Sequence, residues 1–149
     1  MTSEKIKRML DACYLAKRIR ELLPELPEGV TPAYIQYLDA IHILQNRGVR
    51  VKVSDISDYF DLPRPGVTRT VKDMVQKGYL QKDTSQEDGR VTYLAITEQG
   101  EVLNHKYNTD YYDRLAPKLE NISEEEADCM ISAISKFYAV MKERSVDIA

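Results

Sequence analysis

The densest run of groups able to meet a polyanion lies near the middle of the chain. Arg64-Pro65-Gly66-Val67-Thr68-Arg69-Thr70 is followed closely by Lys72. Arginine presents a planar fork of donors that fits phosphate or a guanine edge, and threonine offers a hydroxyl beside a methyl. Glycine lets the backbone itself come close to a surface. A further arginine, Arg90, ends the tip Glu87-Asp88-Gly89-Arg90, where an acid two residues earlier can hold its guanidinium by a forked hydrogen bond. Residues 64–82 hold five cations (Arg64, Arg69, Lys72, Lys77, Lys82) against Asp73 alone, a net +4 within a chain of net charge −3. Residues 120–149 hold seven acids against three cations, a net −4. A basic middle in an acidic chain suits a protein that touches phosphate with one face, although an ordinary solvated helix face has the same composition.

Other chemistries find little to work with. His42 and His105 have no cysteine at zinc-ligand spacing, and no Ser/His/Asp or Cys/His arrangement is assembled. The expectation is therefore no metal, no cofactor and no enzymatic activity. Cys13 and Cys129 are too few for a disulfide framework and suggest a reducing compartment. Cys13 has Lys17 one turn on as its nearest basic neighbour, and both thiols are read as buried and inert; a redox-sensing role for Cys13 is the alternative. Tyr14, Tyr34, Tyr37, Tyr107, Tyr111 and Tyr112, with His42, could orient an aromatic or carboxylate ligand, or could fill core and interface with satisfied hydroxyls.

These residues need elements to position them. Ile6, Met9, Leu10, Cys13, Ala16 and Ile19 recur at three- and four-residue spacing and predict a first helix over residues 4–23. Pro24, Pro27 and Gly29 mark a loop, and Thr31-Pro32 starts a second helix that ends before Gly48. Ser54 is expected to cap a short third helix, which Asp61-Leu62-Pro63 breaks, and Pro65 opens a fourth, stopped by Gly78. Two short helices joined by a tight turn form a helix-turn-helix. Leu80–Asp83 and Val91–Ile96 have strand character around a tip from Thr84 to Arg90, which makes a hairpin wing.

Thr97 caps a helix in which Leu103, Tyr107, Tyr111, Leu115 and Leu119 follow at strict four-residue spacing, predicting one long helix to residue 119. Ser123 and Glu126 form a capping box before Ala127, Ile131, Ile134, Tyr138 and Met141, a seam that wants a partner helix. The fold class is mainly α with a small β-hairpin. It divides into an N-terminal dimerisation helix and loop (1–30), a winged helix-turn-helix lobe (31–97) and C-terminal dimerisation helices (98–149), within one compact domain. The terminal stripes exceed what one small lobe can bury, so a symmetric homodimer follows.

In such a unit the first half of the second helix enters the major groove of DNA. Val67, Val71 and Met74 then face inward, which leaves Arg64, Pro65, Gly66, Thr68, Arg69, Thr70 and Lys72 as candidate contacts. Arg90, oriented by Asp88, is placed for the minor groove. A winged-helix module binding a protein partner is the alternative, and would carry apolar anchors where Thr68, Arg69 and Lys72 stand. With 43% apolar and 30% charged residues over 149 positions, the chain has the balance of a soluble globular protein. Met1-Thr2-Ser3-Glu4-Lys5 lacks a signal-peptide core and no run of about 18 apolar residues occurs, so a cytoplasmic protein with no membrane partner is expected.

Leu62 through Leu80, with Lys77-Gly78-Tyr79-Leu80, then Asp88-Gly89-Arg90 and Leu94-Ala95-Ile96-Thr97-Glu98-Gln99-Gly100, resemble the MarR family of winged-helix transcriptional regulators. The resemblance implies a dimer joined by terminal helices that binds a pseudo-palindromic operator as a repressor and is released by a small ligand near the tyrosines. Cys13 is similar in place to the sensing cysteine of the family's organic-peroxide branch, which carries a tyrosine where Pro32 follows Thr31 here. Pro63 and Pro65 also stand where the family more often has serine or threonine.

Overall fold

The computed structural model describes residues 1–84, 89–143 and 146–148. The chain divides into two compact units, Met1–Asn108 and Thr109–Ala149. The division falls beyond the strand-to-helix junction at Thr97.

The first unit opens with α1 (Ser3–Glu21), started by Thr2, whose hydroxyl accepts from the Lys5 amide at 3.1 Å. None of its residues is buried. Helix α2 (Pro32–Asn46) begins after Thr31 as expected, but the Thr31 side chain makes no capping bond, so the start rests on Pro32 at the first turn, with its preset φ. Tyr34, Tyr37, Leu38, Ala40 and Ile41 put α2 at the centre of the core. Helix α3 (Val53–Phe60) starts one residue before Ser54. Its first turn is organised by Asp55, whose carboxylate accepts from the Lys52 amide at 2.8 Å, so the cap assigned to Ser54 is corrected.

The turn to α4 (Arg64–Gln76) is closed by a reciprocal pair: the Leu62 amide donates to the Ser57 carbonyl at 3.0 Å, and the buried Ser57 hydroxyl donates to the Leu62 carbonyl at 2.5 Å. Asp61, with φ of 52°, takes the left-handed turn between them. Gly78, with φ of 83°, stops α4 and aims the chain into the wing. Strands β1 (Leu80–Thr84) and β2 (Thr92–Ile96) pair antiparallel, from Leu80 opposite Ile96 to Thr84 opposite Thr92. The Leu94 amide reaches the Val51 carbonyl at 2.8 Å, tying the wing to the extended piece before α3. One core joins α2, α3, α4, the wing root and α5 through Leu38, Ile41, Ile56, Val67, Met74 and Leu103.

Helix α5 (Glu98–His105) is capped by Thr97, which accepts from the Gly100 amide at 3.0 Å and donates to the Gly78 carbonyl at 2.5 Å. One hydroxyl thus joins the end of α4, the end of the wing and the start of α5. The uniform helix expected to residue 119 is corrected. After α5 comes a π-helical turn (Lys106–Asp110), then α6 (Tyr111–Leu115) and a 3₁₀ turn (Ala116–Leu119) that holds Pro117. A strict four-residue stripe outruns the 3.6-residue period of an α-helix, and a wider π turn restores the match.

In the second unit α7 (Glu124–Lys142) follows the expected capping box, with the Glu126 amide 3.0 Å from Ser123 Oγ and the Ser123 amide 2.9 Å from the Glu126 carboxylate. Neither α6 nor α7 holds a buried residue, and Ile131, Ile134, Tyr138 and Met141 lie exposed. Among the described residues no helix is long and apolar enough to cross a membrane.

Gly100 is the tightest point of this frame. A Cβ there would stand 2.2 Å from the Tyr79 carbonyl oxygen and 2.8 Å from Ile96 Cγ2. Backbone cannot yield as a side-chain end can. Gly100→Ala should therefore cost about 1–3 kcal/mol of stability, seen as a lower urea midpoint with an unchanged slope.

Candidate nucleic-acid interface

Helix α4 separates its residues by face. Val67, Val71 and Met74 are 1% exposed or less. Arg64, Pro65, Gly66, Thr68, Arg69 and Lys72 are exposed on the other side. Nothing lies within 4 Å of the place a Gly66 Cβ would take, so the backbone of the first turn is open to a close approach. The exposed groups are donors, hydroxyls and a bare backbone, and none is a large apolar anchor.

Thr70 differs from its neighbours. It is half-buried, its hydroxyl donates to the Gly66 carbonyl at 3.1 Å, and it lies beside the Tyr37 hydroxyl. Tyr37, 4% exposed and stacked on Phe60 with ring centres 5.6 Å apart, has its phenol pushed up by burial, with the Thr70 contact partly opposing.

On the wing, Arg90 is exposed, while Asp88, its expected orienting acid, lies outside the described residues. Lys82 is exposed on β1. Arg50 also belongs to this basic surface and was not singled out from sequence: its guanidinium lies 3.8 Å over the Tyr93 ring of β2. The alternation of Val49, Val51 and Val53 with Arg50 and Lys52 was the available signal, since Val51 is buried and Arg50 exposed.

The candidate ligand residues separate. Tyr34, Tyr37 and Tyr107 are buried in the core of the first unit. The Tyr34 hydroxyl accepts from Lys77 at 3.1 Å. His42 is half-buried, with Nε2 2.7 Å from the Glu101 carboxylate, a link between α2 and α5. Tyr14 is 70% exposed on α1. Tyr111 belongs to the second unit, edge-on to Tyr112 with centroids 5.2 Å apart. Cys13 and Cys129 are both exposed, which corrects the expected burial: each sits on a helix that has no buried residue. Among the described residues no group of three His, Cys, Asp or Glu is placed to hold a metal.

Comparison with known proteins accounts for this arrangement. Residues 28–91 match the MarR family model. The matched segment is less than half of the chain, and over it the chain is similar to the MarR family. A curated relative, the HTH-type transcriptional regulator BilQ of Clostridioides difficile (strain CD3), is 32% identical over 65 residues. The aligned part is 44% of this chain and 43% of that relative, so the match spans less than half of the curated protein. That relative is named as a transcriptional regulator. Two solved structures share the fold over nearly the whole chain. Streptococcus pneumoniae FabT in complex with DNA superposes with a TM-score of 0.68 at 18% identity, covering 97% of this chain and 100% of that one. The S. aureus MepR–DNA complex gives 0.62 at 15% identity, with 94% and 96% covered. The fold shared with these structures is a winged helix, as the sequence indicated.

The Tyr37–Thr70 contact carries a prediction with a definite sign. A phenol raised on folding adds stability that is complete below the ordinary tyrosine value of 10.0 and is lost as pH climbs through the raised native value. Tyr37→Phe should cost about 1 kcal/mol near pH 8, for the lost polar contact with Thr70. Above pH 10 the parent should lose stability more steeply than the variant, so the two denaturation curves converge. A constant gap across this range would show that Tyr37 does not ionise with unfolding.

Proposed function

We propose that the chain is a homodimeric, sequence-specific DNA-binding transcriptional regulator, a cytoplasmic repressor of a pseudo-palindromic operator released by a small aromatic ligand. One observation carries this reading: the face of α4 opposite its buried valines offers Arg64, Gly66, Thr68, Arg69 and Lys72 and no apolar anchor. Such a face matches a groove of phosphates and base edges better than a protein surface. The DNA named with FabT and MepR supports the same assignment. Self-association is supported by α1 and α7, whose Leu10, Ile19, Ile131 and Tyr138 meet water in the single chain. Ligand release rests on the family resemblance, with Tyr14, Tyr34, Tyr37, His42, Tyr107 and Tyr111 as candidate contacts.

In this reading Arg69 reads bases by a forked contact to guanine, and Arg90 senses minor-groove width and phosphate potential. After selection of an operator from random DNA, Arg69→Ala should weaken it by about 1–3 kcal/mol more than a random duplex. Arg90→Ala should weaken both duplexes and flatten the salt dependence by roughly one ion. A protein-binding module would show neither effect, and a titration of affinity against salt separates the two. Replacing Ile131 and Ile134 by Asp places charges in the proposed seam and should give monomers by light scattering. An unchanged dimer mass would move the interface elsewhere. An aromatic carboxylate that changes neither melting temperature nor DNA affinity would count against ligand release.

A further inference from the structure

Lys77 is one of the five cations of the basic run, yet its ammonium faces the protein. It stands at the end of α4, where the helix gives way to Gly78 and the wing. Its Nζ donates to the Gly29 carbonyl at 2.7 Å and to the Tyr34 hydroxyl at 3.1 Å, and lies 5.2 Å over the Tyr34 ring. Tyr34 in turn packs edge-on to Tyr79, the residue after Gly78, with centroids 6.1 Å apart. The lysine is held above its ordinary value, first by the Tyr34 hydrogen bond.

Three pieces of chain meet at this one ammonium: the loop from α1 to α2, the first turn of α2 and the end of α4. The side chain is exposed, and contacts made in water contribute little net stability. A solvated ammonium also has water as an easy alternative partner, so the contact's main effect is directional. A carbonyl and a hydroxyl fix where the end of α4 can lie.

We propose that Lys77 is a positioning residue that couples the α1–α2 loop to the pose of the recognition helix, so that a displacement of that loop reaches α4 through Nζ. This rests on the DNA-binding reading above and adds to it a route of regulation. Lys77 would then influence which sequence is read without touching a phosphate. Neutralising the amine, by substitution or by acetylation, frees the end of α4 and blurs discrimination while leaving the charge contacts of Arg69, Lys72 and Arg90 in place.

The test compares parent, Lys77→Arg, Lys77→Gln and Lys77→Gln/Tyr34→Phe for binding to operator and random duplexes across a salt series. Lys77→Gln should lower the operator-to-random ratio by about threefold to tenfold with the salt slope unchanged. Lys77→Arg should restore the ratio, and Tyr34→Phe should add little once Lys77 is gone. A slope reduced by one ion, with both duplexes weakened alike, would make Lys77 a phosphate contact and overturn the proposal, as would an unchanged ratio. Hydrogen exchange in the absence of DNA provides an independent measure. The Val30 amide, bonded to the Pro27 carbonyl at 3.0 Å in the same loop, should exchange faster in Lys77→Gln than in parent or Lys77→Arg. Equal exchange in all three would also overturn it. If the parent lacked any operator preference while Val30 exchange responded as expected, the DNA reading would fail and the coupling would stand.

Discussion

The seating of α4 on α2 is the constraint that everything else in the winged unit obeys. The apolar part is a layer of Leu38 and Ile41 with Val67, Val71 and Met74, each essentially without solvent contact. Apolar layers are strong but tolerate sliding, because dispersion and area burial are non-directional. The direction comes from two tyrosines one turn apart on α2. Tyr37 meets Thr70 at the middle of α4, and Tyr34 accepts from Lys77 at its end. With the middle and the end of α4 set against a single helix, its outward face keeps one orientation.

The wing is held by the same logic at smaller scale. Leu80 and Leu94 plug it into the core, and the Leu94 amide anchors it to Val51. The Thr97 hydroxyl then links Gly78, the exit from α4, to the first turn of α5. Gly100 is required because any side chain would strike the Tyr79 carbonyl. A short hairpin is marginal on its own, and these three attachments make it part of the lobe. Arg50 stacked on Tyr93 adds a cation to the wing's root without adding strand length.

Much of this was legible along the chain because it is written in local rules. The periods of three and four, Pro32, Pro65, Gly78, Thr97 and the Ser123/Glu126 box mark where helices begin and end, and each is a short-range preference of backbone and side chain. The cap of α3 was misread for an equally local reason. Asp55 reaches back to the Lys52 amide and starts the helix before Ser54 can. The long fifth helix failed because a four-residue apolar stripe also fits a π turn, and period alone does not separate the two. The cysteines failed because a stripe marks only a helix's apolar side and says nothing of what covers it.

What the sequence determined by itself was the kind of protein: a helix-turn-helix with a wing, an outward face of Gly66, Thr68, Arg69 and Lys72, and terminal helices with unsatisfied apolar stripes. Those follow from periodicity and turn chemistry, which act over a few residues. Tertiary structure alone decided which polar groups remain available. Thr70 and Lys77 look equivalent to Thr68 and Lys72 in one dimension, but the fold engages the Thr70 hydroxyl with the Gly66 carbonyl and the Lys77 ammonium with Gly29 and Tyr34, and leaves Thr68 and Lys72 exposed on the outward face. Residues 34 and 77 are distant along the chain, and only a packed core brings a phenol and an ammonium to within a hydrogen bond.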